Sequence, residues 1–353
     1  MSKCALIMAG GTGGHIFPGL ALAEALRGCG WRVHWLGNAQ SMEGTLVPAR
    51  GFVLEPIEFV GVRGKGLLSL ALLPLRLLRA FWQSLGVVRR VGPQVVVGLG
   101  GYISFPGGMM SVLLGKPLVL HEQNSVAGMA NKVLAGVADR VYTAFPEVMA
   151  KGRWVGNPLR SAFLQQAAPE LRFAQRSGPL RVLVVGGSLG AQALNEIVPK
   201  ALALIPVTER PQVIHQSGAK QLQALQSAYA AAGVQAELTP FIDDTAQAFA
   251  QADLVICRAG ASTVTEIAAV GAAALFVPFP FAVDDHQTHN ARYLTDQGAG
   301  ALLEQRALSA PQLAKLLQGL DRATLLDWAQ RAYRLKKTDA TQALVDACEE
   351  LAR

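Results

Sequence analysis

The sequence predicts an α/β protein built from two doubly wound parallel-sheet units. Three observations carry this. A short apolar strand, a glycine-rich turn and a helical pattern follow one another at Ala5–Met8 with Gly10–His15, and again at Leu180–Val185 with Gly186–Gly190. Apolar runs alternate with helical patterns along both halves, which implies parallel sheets covered on both faces. The length, 353 residues, suffices for two domains with separate cores.

Composition narrows the class. The chain is 51% hydrophobic and 16% charged, apolar for a soluble protein. Its cysteines (Cys4, Cys29, Cys257, Cys348) lie far apart with no CxxC, which speaks against a zinc site or a disulfide framework and fits a reducing compartment. No signal peptide is expected, because the first apolar run reaches glycines within a few residues of Met1. Between Arg90 and Lys116 lie 25 uncharged residues, but nine are Gly or Pro, a density that predicts strand and loop rather than a membrane span. The net charge of +7 is uneven: residues 1–160 hold 16 Lys/Arg against 7 Asp/Glu, residues 161–353 hold 16 against 18.

In the N-terminal half, Ala5–Met8 reads as a strand, Gly10-Gly-Thr-Gly-Gly-His15 as a turn and Leu20–Leu26 as a helix. The turn departs from the dinucleotide fingerprint, because Ile16 stands where its third glycine belongs. Trp31–Leu36, Val95–Val97 and Leu118–Leu120 are further strands, the last two leading into Gly98-Leu-Gly-Gly-Tyr-Ile-Ser104 and His121-Glu-Gln-Asn124. Ligands of such sheets sit beyond the carboxyl ends of the strands, where these loops emerge. His15 is the candidate for chemistry. At a helix start the dipole disfavours the imidazolium, and a neutral ring can take a proton from an attacking hydroxyl. The alternative is that it only caps the helix or orients the loop.

Residues 60–90 join Val60-Gly-Val-Arg-Gly-Lys-Gly66 to a leucine-rich segment with Leu72, Leu75, Arg76, Arg79, Phe81 and Trp82, and then Arg89-Arg90. Such a segment suits an anionic membrane surface, with leucines and Trp82 in the interface and arginines on headgroups. A core helix with snorkelling arginines is the other reading, and Pro74 limits its length in both. Interleaved leucines suit lipid better than a phosphate backbone, so no nucleic-acid partner is expected.

Val155-Gly-Asn-Pro-Leu-Arg160 reads as a domain exit. Residues 165–180 read as polar linker or helix. Val213-Ile-His-Gln-Ser-Gly218 is a strand and turn, and Phe241-Ile-Asp243 follows a polar helix. The stretch Cys257-Arg-Ala-Gly-Ala-Ser-Thr-Val-Thr-Glu266 leaves a buried strand, turns at Gly260–Thr263 and enters a helix. Amides at a helix start have no internal partner and attract phosphate, and Glu266, one turn in, can accept from a diol. A phosphate and a diol describe a nucleotide ribose. Thr263 and Glu266 fit a capping box equally well. Asp284-Asp-His-Gln-Thr-His289 has the wrong order for a metal-ligand helix and reads as a polar sugar-binding loop.

The motifs Gly10–His15, Gly100-Gly-Tyr-Ile-Ser104, His121–Asn124, Gly156-Asn-Pro158, Gly186-Gly-Ser188, His215–Gly218, Phe241–Asp243, Cys257–Glu266 and Asp285–Asn290 run in order through nearly the whole chain. Together they resemble the MurG-type peptidoglycan GlcNAc transferases, which move N-acetylglucosamine from UDP-GlcNAc to the muramyl sugar of undecaprenyl-pyrophosphate-linked lipid I, giving lipid II. The resemblance implies a GT-B fold: two Rossmann-like doubly wound parallel-sheet domains facing across a cleft, residues 1–159 and 160–337, with a helix at about 338–353 crossing back to the first. It implies sugar-donor contacts at Thr12, Gly13, Gly14, Asn124, Arg160, Ser188, Ile242, Ala261, Ser262, Thr263, Val264, Thr265, Glu266 and Gln287. In it Ile242 meets the uracil, Glu266 the ribose, Ser188 and the Ser262–Thr263 turn the diphosphate, and Gln287 and Asn124 the sugar. The acceptor diphosphate falls to Gly11, Gly13, Gly100, Gly101, Tyr102 and Ser104. One departure is Ala261-Ser262-Thr263 where the family has alanine-leucine-threonine, which leaves backbone phosphate contacts intact.

The implied chemistry is inversion at the anomeric carbon by the acceptor 4-hydroxyl, with His15, or in second place Glu122, taking the proton. No metal-ligand cluster is evident, so no metal cofactor is expected, and helix N-termini would stabilise the departing UDP. The implied partners are UDP-GlcNAc, lipid I, the anionic cytoplasmic face of the bacterial inner membrane, where the protein would be peripheral, and other cell-wall synthesis enzymes. Two alternatives differ in class. One is another GT-B enzyme, a UDP-GlcNAc 2-epimerase or a sterol glycosyltransferase; the basic leucine-rich segment and the motif series disfavour the epimerase. A non-catalytic binder of anionic lipid predicts lipid binding without nucleotide binding.

Overall fold

Strand β1, Cys4–Met8, is buried at all five positions, as a strand covered on both faces must be. Its alternate residues feed different cores. Ala5 and Ile7 join Ile16, Leu20, Leu26 and Leu344, while Leu6 and Met8 join Ala80, Val88, Ile103 and Leu134. The computed structural model describes residues 2–59, 61, 72–187 and 190–352. Contacts divide the chain into two units, residues 1–160 with 338–353, and residues 161–337.

In the first unit β1 is followed by β2 (Arg32–Gly37), β3 (Val53–Pro56), β4 (Val95–Gly98), β5 (Leu118–Glu122), β6 (Arg140–Thr143) and β7 (Arg153–Trp154). All pair in parallel, in the order β3-β2-β1-β4-β5-β6-β7. The order reverses between β1 and β4. Connections leave these neighbours toward opposite faces, and a crevice opens at their carboxyl ends. The helices Gly13–Gly28 and Ala340–Leu351 cover one face. Leu73–Val91 and Ser104–Leu113 cover the other. Glu349 fixes the last helix, pairing with Lys3 and accepting from Trp31 Nε1 at 2.5 Å.

The second unit repeats the plan. Its strands are β8 (Arg181–Val185), β9 (Gln212–Gln216), β10 (Glu237–Thr239), β11 (Leu254–Cys257), β12 (Ala274–Phe276) and β13 (Ala301–Leu302). They lie parallel in the order β10-β9-β8-β11-β12-β13, with the reversal between β8 and β11. One core runs from Val182, Val184 and Ile256 to Leu194, Val198, Leu225, Leu313 and Leu325.

Several expectations change. The helix read from Leu20 begins at Gly13, because its opening residues Gly13-Gly-His15 carry no apolar periodicity. Pro74 does not limit its helix. It sits in the first turn of Leu73–Val91, where no amide partner is lost. His121 and Glu122 belong to β5 rather than to the loop after it. The uncharged stretch after Arg90 resolves into β4, a glycine turn and the helix Ser104–Leu113. Among the described residues no helix is long and apolar enough to cross a membrane.

Candidate active site

The turns after β1 and β4 cross at the reversal point of the first sheet. Gly11, Gly100 and Gly101 all have positive φ (92°, 85° and 79°), and a Cβ on Gly101 would lie 2.4 Å from the Gly10 carbonyl oxygen. Only glycine fits such an approach. Buried Glu43 supports the first turn, accepting from Gly11 N at 3.3 Å and Asn38 N at 3.1 Å. Ser104, expected at the acceptor diphosphate, is buried, and its hydroxyl turns to the Met8 and Gly100 carbonyls at 3.0 and 2.7 Å. It holds the turn. Half-buried Tyr102 packs edge-on to Phe59, and burial raises its phenol above the ordinary value.

His15 stands in the first turn of the helix Gly13–Gly28, whose N-cap position is Thr12, extended and without a side-chain capping bond. Its Nδ1 lies 2.9 Å from the Leu99 carbonyl oxygen and 3.0 Å from Gln123 Oε1. A carbonyl can only accept, so Nδ1 carries a proton, and the tautomer compatible with this geometry has its lone pair on Nε2. This is the tautomer a base needs. Glu122, the second candidate, is 2% exposed and accepts from Asn124 N (3.0 Å), Gly128 N (3.0 Å) and Asn131 Nδ2 (2.9 Å). Its geometry folds the 124–128 loop. Arg160, expected in the second domain, falls in the first unit with its guanidinium 5.9 Å from the Phe17 ring centroid.

In the second unit the helix Ala261–Val270 starts from Gly260, which has no side chain to cap with. The capping-box expectation for Thr263 and Glu266 is therefore wrong, since Thr263 stands at the third helical position rather than at the cap. Among the described residues Ser262 Oγ is buried without a hydrogen-bond partner, in the first turn. Thr265 bends back to the Ala261 and Ser262 carbonyls, both at 3.0 Å, and the Val264 side chain is fully buried. Neither side chain is placed to bind a ligand; what these two positions offer is backbone. Burial, and after it the nearby Glu266 carboxylate, push the Cys257 thiol up. Gln287 Oε1 accepts from Phe279 N at 2.9 Å and Ala259 N at 3.3 Å, tying the loop after β12 to that after β11. Asp284 and Asp285, just before it, both have positive φ (53° and 49°), a strained pair of the kind found at ligand sites. Ser188 and residues 60 and 62–71 lie outside the described residues.

Gln216 escaped sequence reasoning. It is buried, accepts from Gly186 N at 3.1 Å, and donates through Nε2 to the Gly187 and Pro240 carbonyls at 3.1 and 3.0 Å. It joins the glycine turn after β8 to the loop carrying Phe241 and Ile242. A groove of about 820 Å³ runs down β8–β10 from Ile242, and the Gly260 turn does not line it. Among the described residues no cluster of three or more His, Cys, Asp and Glu side chains is placed to hold a metal ion.

Two buried histidines belong to the scaffold. His215 lies between Tyr229 Oη and Asn195 Oδ1, each at 3.0 Å, and His121 Nε2 is 2.8 Å from the Gly156 carbonyl. Burial lowers them from 6.5 to about 3 and about 4 respectively. Below 6.5 the unfolded chain takes up protons that the folded one refuses. Their stabilisation is complete above that pH and is lost as pH falls toward those lowered values. Moving from pH 7 to pH 5 is expected to cost about 2 kcal/mol per histidine. Urea denaturation of the protein and of His215→Gln at both pH values checks this. Equal pH dependence in the two would remove His215 from the account.

Residues 5–143 match the glycosyltransferase family 28 N-terminal domain, and residues 181–347 the C-terminal domain of the same family. The chain is 72% identical over 357 residues to the UDP-N-acetylglucosamine–N-acetylmuramyl-(pentapeptide) pyrophosphoryl-undecaprenol N-acetylglucosamine transferase of Polaromonas sp. strain JS666, covering 100% of this chain and 92% of that one. It is 70% identical to the enzyme of the same name from Paracidovorax citrulli, covering 99% and 98%. Among solved structures, Acinetobacter baumannii MurG matches with a TM-score of 0.86 at 39% identity over 99% of both chains. The kitacinnamycin glycotransferase, 16% identical with a TM-score of 0.72 over 99% of both chains, shares the fold. The fold class is α/β, GT-B, with one Rossmann-like parallel sheet in each unit. The chain belongs to glycosyltransferase family 28, among the UDP-N-acetylglucosamine–N-acetylmuramyl-(pentapeptide) pyrophosphoryl-undecaprenol N-acetylglucosamine transferases.

Proposed function

We infer that this protein is an inverting hexosyltransferase of peptidoglycan synthesis. It moves GlcNAc from UDP-GlcNAc to the 4-hydroxyl of the muramyl sugar of lipid I, forming lipid II. The observation that carries the mechanism is the His15 ring, pinned through Nδ1 with its Nε2 lone pair available. The acceptor oxygen bonds to the anomeric carbon as the bond from that carbon to the UDP oxygen breaks. The hydroxyl proton passes to Nε2, and the negative charge leaves with UDP. The helix start at Ala261, with the unpartnered Ser262 hydroxyl, is the site we assign to the diphosphate, and it stabilises that charge without a metal in this reading. Glu266 holds the ribose diol, and the Ile242 backbone meets the uracil. The crossing turns at Gly11 and Gly101 hold the acceptor diphosphate.

The test is to incubate the protein with labelled UDP-GlcNAc and a lipid I analogue. A disaccharide lipid is the expected product. Consumption of UDP-GlcNAc without acceptor, giving its 2-epimer, would overturn the assignment. Within it, Glu266→Gln is expected to raise the donor KM with the fold intact, by about 1.5–3 kcal/mol for a lost charged hydrogen bond. A Glu266→Gln protein with normal donor affinity and lowered melting temperature would return the residue to a structural role.

We also propose that the protein works at the cytoplasmic face of the inner membrane as a peripheral protein, through the outer face of Leu73–Val91. Ala80, Ser84, Val87 and Val88 of this helix are buried, whereas Leu75, Leu78 and Trp82 are 66%, 56% and 69% exposed. Exposed leucines and tryptophan beside arginines favour an anionic lipid surface. Phe81, expected at the interface, instead packs on Phe105 with ring centroids 5.8 Å apart.

A further inference from the structure

We propose that Gln123 is the positioning residue of His15, its amide oxygen and the Leu99 carbonyl together keeping the ring proton on Nδ1 and the lone pair on Nε2. The inference rests on the reading of His15 as base and assigns a residue that the motif series left without a role. Gln123 is fully buried just past β5, and its Oε1 lies 3.0 Å from His15 Nδ1. The same nitrogen is 2.9 Å from the Leu99 oxygen, so its one proton is shared between two acceptors. Turning the amide over would set an NH2 against a nitrogen that must donate to Leu99. The orientation of Gln123 is therefore fixed by the ring it serves.

The glutamine gains little for itself. Its Nε2 is buried without a hydrogen-bond partner among the described residues, a costly arrangement for an amide donor. Its backbone carbonyl accepts from Asn157 Nδ2 at 3.5 Å, which holds the residue in place. An uncharged amide has a specific advantage over a carboxylate here. It orients the imidazole and, being uncharged, favours the imidazolium less than a carboxylate would.

The other titratable groups around the ring are accounted for. Glu43, below the Gly11 turn, is engaged by Gly11 N and Asn38 N. Glu122 is engaged by the 124–128 loop. His121 is kept neutral by burial, Tyr102 is half-buried beside Gly11, and Arg160 lies over Phe17.

The experiment measures kcat against pH at saturating UDP-GlcNAc and lipid I analogue for the protein and for Gln123→Glu, Gln123→Leu and His15→Ala. Gln123→Glu is expected to move the acidic limb to higher pH by about one unit or more, because the new carboxylate favours the imidazolium. Gln123→Leu is expected to lower kcat about 10- to 100-fold with the KM for UDP-GlcNAc within twofold, the loss typical when a hydrogen-bond partner that orients an imidazole is removed. Gln123→Glu, close to isosteric, carries the test should Gln123→Leu not fold. An unshifted acidic limb in Gln123→Glu, beside a normal loss in His15→Ala, would overturn the role of Gln123 alone. Full kcat in His15→Ala would overturn the base reading on which it stands.

Discussion

His15→Ala is expected to lower kcat by about 10²–10⁴, while the affinity for UDP stays near that of the parent protein. The loss corresponds to about 2.7–5.5 kcal/mol of transition-state stabilisation. It falls on kcat because the ring acts on the acceptor proton as the new bond forms. UDP is held, in this account, by the Gly260–Glu266 turn and the loops beside it. Glu122 cannot take over, since its two oxygens already accept from Asn124, Gly128 and Asn131. The cavity left by alanine is bordered by Gly100, whose own atoms supply no base. Steady-state rates with a lipid I analogue and UDP titration of the variant measure the two quantities. A variant with unchanged kcat would reduce His15 to orienting the glycine turn. Loss of UDP binding along with rate would mean that the whole turn had moved.

The sheets were legible because fully buried parallel strands leave continuous apolar runs, as at Ala5–Met8 and Leu118–Leu120. The glycine turns were legible because the close approach of Gly101 to Gly10 admits no side chain. The shortest edge strands, β7 at Arg153–Trp154 and β13 at Ala301–Leu302, were not, since two residues carry no period. Pro74 misled for a different reason. The same residue breaks a helix from within and starts one from its first turn, and only the helix boundary decides.

The site divides along similar lines. Backbone positions such as Gly11 and Ala261 are visible as small residues at a strand-to-helix turn. Polar side chains facing inward are not, because a glutamine that clamps two loops has the same letter as one on the surface. Gln216, Gln123 and Glu43 each tie neighbouring loops together from buried positions. The converse case is Ser104, expected at the acceptor diphosphate, and Thr265, expected among the donor contacts, whose hydroxyls bond to the backbone of their own turn or helix. Thr263 and Glu266 have capping-box spacing, but the cap position is Gly260.

The second large effect concerns the helix Leu73–Val91. Replacing Leu75, Leu78 and Trp82 together with serine is expected to weaken binding to vesicles by about 10²- to 10⁴-fold. Each of these side chains, if taken from water into the interface, contributes on the order of 1–2 kcal/mol. They point away from the core formed by Ala80, Val87 and Val88, so the fold is expected to survive. The arginines act differently. Each near an anionic surface contributes about 1 kcal/mol, a share that salt screens. Arg90 must be kept out of such a test. It pairs with Glu55, which also accepts from His34 at 2.9 Å. Burial raises the Glu55 carboxyl, but hydrogen bonds from Arg90 and His34 prevail and hold it below its ordinary value. Arg79 pairs with Glu58 at 2.7 Å, but both side chains are more than half exposed, so little stability is at stake. Arg76, Arg79 and Arg89 changed to glutamine are therefore expected to lower binding to anionic vesicles at low salt and to leave binding to neutral ones unaltered. Both sets of changes should reduce transfer to a long-chain lipid acceptor and spare transfer to a short, soluble one. Equal losses on the two acceptors would mean that this helix serves the fold or the acceptor site, and the membrane reading would fail.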